Sequence, residues 1–365
     1  MQKIKFKSGL ALFLIIFILT ILGTYALAAQ TDKIKVFFND PPDSRNIDIE
    51  LANFIDSASI SVYAHFYQLN RQCVIDSMVR AAKRLKPQNV KLITDNKYYK
   101  SKKYLSAYGQ IEKAGIKIIT DQEYGNSGNG ESHNKFCIVD TKKIWTGSYN
   151  PTDNNTVQDY NNALIIENTD IAKLYNEEFS QMYDKNLFGA KKRKINLPRH
   201  FKVDSIEVEV YFSPTDDISS IITNYILSAQ KFVSFVIFAF TDAEIIEAFT
   251  DRHKKGILVR GMCDNLSIGG KASGYKALKD RNMNIKQDTN SRSQLHDKFV
   301  VIDHESANSA MVITGSHNYT KAANTKNDEN IVIIKDKYYA ERYYNEFAKI
   351  YGAPQVEIAP VTIKK

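Results

Sequence analysis

His133, Lys135 and Asp140 form the pattern His-x-Lys-x4-Asp, and Gly147, Ser148 and Asn150 follow as Gly-Ser-x-Asn. Both patterns return as His296, Lys298 and Asp303, then Gly315, Ser316 and Asn318. Each copy joins an imidazole, a fixed cation, a carboxylate and small hydrogen-bond donors. These are the groups needed to cleave a phosphodiester. An imidazole can attack phosphorus and become a phosphohistidine, while a second, protonated imidazole donates its proton to the departing alkoxide. Two copies therefore have a chemical reason. The lysines would offset charge on the non-bridging oxygens, and Ser148, Asn150, Ser316 and Asn318 would donate neutral hydrogen bonds to them. Two imidazoles with different tasks must hold different protonation states near neutral pH.

The paired motifs resemble those of the phospholipase D superfamily. The resemblance implies one active site built within one chain from His133, Lys135, Asp140, His296, Lys298 and Asp303. By analogy His133 is the nucleophile and His296 the acid. In the family the motif aspartate is a supporting group, and structural roles stay open for Asp140 and Asp303. The segment Asn327-Asp328-Glu329-Asn330 is similar to the acidic stretch that follows this motif, so Glu329 could orient an imidazole. Its first-half counterpart, Asp159-Tyr160-Asn161-Asn162, places Asn161 where a second glutamate is expected. The chemistry calls for no cofactor and no metal, and no ligand-spaced His, Asp or Glu cluster lies outside the motifs.

The elements that must position these residues repeat as well. Ile34 to Phe38 matches Val208 to Phe212 as an alternating strand. Ile55 to Ala58 matches Ile226 to Ala229 as a helix end. Val90 to Asn96 matches Val259 to Asn265, and Tyr175 to Tyr183 matches Tyr344 to Tyr351 as a closing helix with buried aromatics. Alternating strands and helices predict an α/β fold. The resemblance implies two similar α/β/α sandwich domains with mixed sheets, packed as a pseudo-dimer. The expected units are 30–188 and 204–365, joined by a basic linker at 189–203 that reads mainly as solvated. The segment 125–130, rich in Gly and Asn, is a candidate loop at the rim of the site. His65, in an apolar run, reads as a packed core residue.

Residues 1–29 stand apart. Lys3, Lys5 and Lys7 precede an apolar run ending in Ala26-Leu27-Ala28-Ala29, the layout of a secretory signal. The expectation is secretion or export to a periplasm; the alternative is a membrane anchor over residues 9–29. Removing the three lysines lowers the formal charge from +8 to +5. Cys73, Cys137 and Cys263 form no disulfide framework or zinc pattern and read as packing residues. The positive balance suits an anionic phosphodiester partner, either phospholipid at a membrane surface or nucleic acid. Hydrolysis of phospholipid headgroups is the first expectation and a nuclease the alternative. Transfer to an alcohol and a non-catalytic binding protein complete the set.

Overall fold

The computed structural model describes residues 32–39, 46–121, 130–265, 268–270, 272–289 and 293–358. Residues 1–29, read above as a signal or anchor, and most of the 125–130 loop lie outside them. In the first half the strands are β1 (Ile34–Asn39), β2 (Val62–Phe66), β3 (Val90–Thr94), β4 (Lys117–Thr120), β5 (Lys135–Val139), β6 (Lys143–Gly147) and β7 (Asn161–Glu167). They form a sheet of order β1-β7-β6-β5-β2-β3-β4, parallel across β2-β3-β4 and antiparallel elsewhere. The second half adds β8 (His200–Val203), β9 (Ile206–Ser213), β10 (Phe232–Ile237), β11 (Leu258–Cys263), β12 (Asn284–Gln287), β13 (Lys298–Ile302), β14 (Met311–Gly315) and β15 (Glu329–Lys335). Its order, β12-β11-β10-β13-β14-β15-β9-β8, repeats the first sheet strand for strand, with β8 as an extra edge.

The larger helices are α1 (Ile47–Asp56), α2 (Gln72–Leu85), α3 (Asn96–Tyr99), α4 (Leu105–Lys113), α5 (Asp153–Val157), α6 (Thr169–Tyr183), α7 (Ile218–Ser228), α8 (Ala243–Lys254), α9 (Gly274–Lys279), α10 (Lys321–Thr325) and α11 (Lys337–Tyr351). Alternation along the motif strands sets the layers. Phe136 and Ile138 of β5, with Phe299 and Val301 of β13, face a central core that also holds Tyr175 and Phe179 of α6 and Tyr343 and Phe347 of α11. Cys137 and Val139 face outward onto α1, α2 and α4, and Val300 and Ile302 face outward onto α7 and α8. Cys137 is thus the small packing residue expected from its match to Val300. Each fully buried Phe contributes roughly 1.5–3 kcal/mol. Two sandwiches therefore share one middle layer.

Helix α6 shows how the sequence builds that layer. Asn168 caps it by accepting from the amides of Asp170 and Ile171. Its buried stripe is Ile171, Leu174, Tyr175, Glu178, Phe179 and Met182, at the spacing of one helix face. Glu178 is a charge in an apolar stripe and must be paired. Its partner comes from the linker: Lys192, fully buried, binds Glu178, lies 2.9 Å from Asp328, and donates to the carbonyl of Ser213 at 2.9 Å. Lys192 is therefore the exception in the basic linker, where Lys191, Arg193 and Lys194 are exposed as expected. Residues 200–203 of this segment form strand β8, paired to β9.

Candidate active site

The loops leading into β5 and β13 meet where the two sheets abut. Both motif histidines precede their strands rather than lie in them, and backbone bonds from the opposite half fix both entering segments. His133 donates its amide to the carbonyl of Asp328 at 3.1 Å, and Tyr160 donates to the carbonyl of Gln294 at 2.9 Å. Asp95 accepts from the amide of Ser132, and its repeat counterpart Asp264 accepts from Leu295. His65 is a buried core residue whose Nε2 lies 2.7 Å from the Ser132 hydroxyl, so it too steadies the approach to His133.

Each imidazole takes its Nδ1 partner from the other half. His133 Nδ1 lies 2.8 Å from Glu329 Oε2, and His296 Nδ1 lies 2.9 Å from Asn161 Oδ1. Ser316 Oγ donates to the same Glu329 oxygen at 2.7 Å, and Ser148 Oγ donates to Asn161 Oδ1 at 3.1 Å. Asn161 Nδ2 points to the carbonyls of Asn155 and Asp159, which fixes the orientation of its amide. Nε2 is then the ring nitrogen left for chemistry in both histidines, and both rings line one cleft of about 690 Å³.

An aromatic ring and a lysine complete each copy. Tyr67 meets His133 edge-on at 4.5 Å between centroids, and Phe238 lies 5.1 Å from His296. Lys135 Nζ sits 4.8 Å over the Tyr67 ring and donates to the carbonyl of His133; Lys298 sits 4.9 Å over Phe238 and donates to that of His296. Both lysines are buried. Burial holds Lys135 down to about 7 against the pull of Glu329, Glu131 and Asp95. Burial and then the neighbouring Lys135 bring Lys298 to about 7. Each ammonium is thus held near its titration point, ready to be drawn to full charge by an anion.

The two rings sit in unlike fields. Burial, followed by Lys298 and Lys135, pushes His296 well below its ordinary value. Burial raises Glu329, but the charge and hydrogen bond of His133 outweigh it and hold the carboxyl near 2. One imidazole therefore leans on a fixed anion and the other on a neutral amide.

Several expectations need correction. Asp140 and Asp303 stand at the far end of the motif strands, roughly 20 Å from the histidines at the rise of extended chain. Asp140 accepts from the amides of Ser59, Ile60 and Ser61, and Asp303 from those of Gln230, Lys231 and Phe232. They fasten turns, and among the described residues neither is hydrogen-bonded to one that lines the cleft. Ser148, Ser316 and Glu329, expected to meet substrate, are instead fully buried behind the rings and are not among the residues lining the cleft. Asn150 and Asn318 do line the cleft. The motif glycines explain the placement of the serines. Gly147 and Gly315 have φ of 152° and 147°, and a Cβ on either would lie 2.3 or 2.2 Å from the carbonyl oxygen of Asn162 or Asn330. Only glycine lets the strand end approach so closely that Ser148 and Ser316 donate their amides to those carbonyls.

A second symmetric network went unread in the sequence. Asn162 donates to Asp297 at 2.6 Å and accepts from Thr314 and Tyr343. Asn330 donates to Asn134 at 2.8 Å and accepts from Thr146 and Tyr175. The middle residues of the two His-x-Lys triplets thus lock the halves together. The matched Asn162 and Asn330 in the repeat were the available signal.

Comparison with known proteins agrees with this architecture. A family model described as "Cardiolipin synthase, PLD-like domain" matches residues 51–183 and 222–351. A phospholipase D of Rickettsia felis is 28% identical over 166 residues, 44% of this chain and 80% of that protein. A mitochondrial cardiolipin hydrolase of Xenopus tropicalis is 29% identical over 137 residues, 38% of this chain and 62% of that protein. The crystal structure of a phosphatidylserine synthase of Haemophilus influenzae superposes over 91% of this chain and 89% of its own, with a TM-score of 0.65 at 12% identity. With one motif pair in each matched segment and both halves built on one sheet plan, the chain belongs to the phospholipase D-like family.

Proposed function

We propose that this protein hydrolyses phosphodiesters through a covalent phosphohistidine on His133, with His296 as the general acid. The observation that carries the reading is the crossed pairing of the two cleft imidazoles, His133 with Glu329 and His296 with Asn161. When His133 Nε2 bonds to phosphorus the ring becomes cationic, with Nδ1–H directed at a carboxylate already ionised. The P–O ester bond breaks, and the leaving oxygen takes the proton of His296 Nε2. Water then gives a proton to His296 as its oxygen attacks phosphorus, and the P–N bond breaks to restore His133. A depressed basicity makes protonated His296 a strong donor, and the anionic substrate favours its protonated form. Lys135 and Lys298 supply the balancing charge.

Alkaline quench of the enzyme during turnover of a phosphorus-labelled diester, followed by peptide mapping, tests the assignment. Label on the peptide holding His133, lost in His133→Asn, supports it. Label on His296 overturns it.

Two substrate readings follow. Phospholipid headgroup hydrolysis draws on the names of the relatives, a phospholipase D and a cardiolipin hydrolase. Cleavage of nucleic acid is favoured by the cleft itself: among the described residues its wall holds tyrosine, phenylalanine, amide, hydroxyl and charged side chains and no aliphatic one. Such a wall offers hydrogen bonds and stacking faces but nothing to receive an acyl chain.

A further inference from the structure

We infer that the strip Lys97–Tyr104, along the first-half lip of the cleft, is a binding rail for single-stranded nucleic acid; this deepens the nucleic-acid reading and rests on the phosphodiesterase proposal. Between Asn96 and Ile111 the chain carries Lys97, Lys100, Lys102 and Lys103 and no carboxylate. All four lysines are exposed. Lys97, Lys102 and Lys103 make no ion pair among the described residues; Lys97 and Lys103 instead lie 5.5 and 5.6 Å from the rings of Tyr98 and Tyr104. The charges are held where solvent phosphates can meet them.

The strip runs into the site without a break. Tyr104 packs against Tyr98 at 5.4 Å, Tyr98 against Tyr67 at 4.7 Å, and Tyr67 against His133 at 4.5 Å. Tyr98, Ser101, Lys103 and Tyr104 line the cleft that holds both histidines. Exposed lysines beside the half-buried Tyr98 ring, which the buried Tyr67 and Tyr104 rings hold in place, suit a strand whose phosphates and bases alternate. The catalytic rings are recessed, His133 and His296 being 5% and 6% exposed. A stiff duplex cannot fold a phosphate into such a recess, whereas a single strand can. The same lysines would attract anionic lipid. Among the described residues the large apolar side chains exposed beside the cleft are Leu105 and Val157, which give little to insert into a bilayer, and no aliphatic side chain lines the cleft itself.

The test uses the full chain carrying His133→Ala, so that substrate survives, and a fluorescein-labelled oligothymidylate of about 20 nucleotides. Affinity is read by anisotropy across a salt series. Adding Lys97→Gln, Lys102→Gln and Lys103→Gln should flatten the slope of log K against log salt by about 2, since each single-strand phosphate contact contributes roughly 0.7. A control with Lys254→Gln, Lys276→Gln and Lys279→Gln removes the same charge from exposed positions of the second half and should leave the slope in place. Equal slopes in strip variant and control overturn the rail. So does strip-dependent binding to phosphatidylcholine–phosphatidylglycerol vesicles without binding to the oligonucleotide. Wild-type turnover of bis(p-nitrophenyl) phosphate is measured alongside: its absence would count against the phosphohistidine chemistry, while binding by the His133→Ala protein reads the rail alone.

Discussion

Glu329→Gln separates the two histidines by their electrostatics. The substitution keeps the shape of the side chain and an oxygen to accept from His133 Nδ1, now 2.8 Å from the carboxylate. It removes the charge. With charge centres about 4 Å apart and an effective dielectric constant of about 20, the imidazolium–carboxylate attraction is about 4 kcal/mol. The surviving neutral hydrogen bond retains about 1 kcal/mol of that. Because the ring charge is only partly developed at the transition state, the barrier should rise by about 2–3 kcal/mol, roughly a 30- to 150-fold slower formation of the phosphoenzyme. The assay is single-turnover release of p-nitrophenolate from bis(p-nitrophenyl) phosphate. That leaving group needs little help from an acid, so the burst reports on the nucleophile. Glu329→Gln should slow it severely and His296→Ala mildly. A burst within threefold of wild type for Glu329→Gln, with a collapse for His296→Ala, would refute the reasoning and exchange the two roles.

Asn161→Asp should give His296 an anionic partner and raise its basicity; the acid then stays protonated to higher pH, so the basic limb of the rate profile for a poor leaving group moves upward, at some cost in stability because the new carboxylate faces the carbonyls of Asn155 and Asp159. Binding of tungstate or phosphate should take up protons at pH 7–8, because lysines held near 7 are drawn to full charge by the anion; calorimetry in buffers of differing ionisation enthalpy measures the uptake. Lys192→Met strips the cation from Glu178 and Asp328 and should cost about 3–5 kcal/mol of unfolding free energy in denaturant titration. Activity should fall with it, because the Asp328 backbone carries both the bond to His133 and the neighbouring Glu329. Asp140→Asn should lose about 1–3 kcal/mol of stability by weakening a carboxylate that collects three backbone amides, while kcat at saturating substrate stays within a few-fold of wild type.

What the sequence alone determined is what local spacing can encode. His-x-Lys-x4-Asp and Gly-Ser-x-Asn, each twice, picked out the two histidines that line one cleft and the lysines buried beside them. The repeat predicted two sheets of one plan, and matched positions foretold that Cys137 packs as Val300 does. The departure at Asn161 was visible too, as a missing acid. Only the tertiary structure decided what that departure means. The partner of each imidazole comes from the opposite half, 196 residues away for Glu329 and 135 for Asn161, and no periodicity records a contact across an interface. For the same reason the motif aspartates were misplaced: conserving a strand's length in both copies looks alike whether its far end does chemistry or fastens a turn. Lys192 shows the converse, since a lysine in a basic run declares itself buried only once α6 brings Glu178 to it.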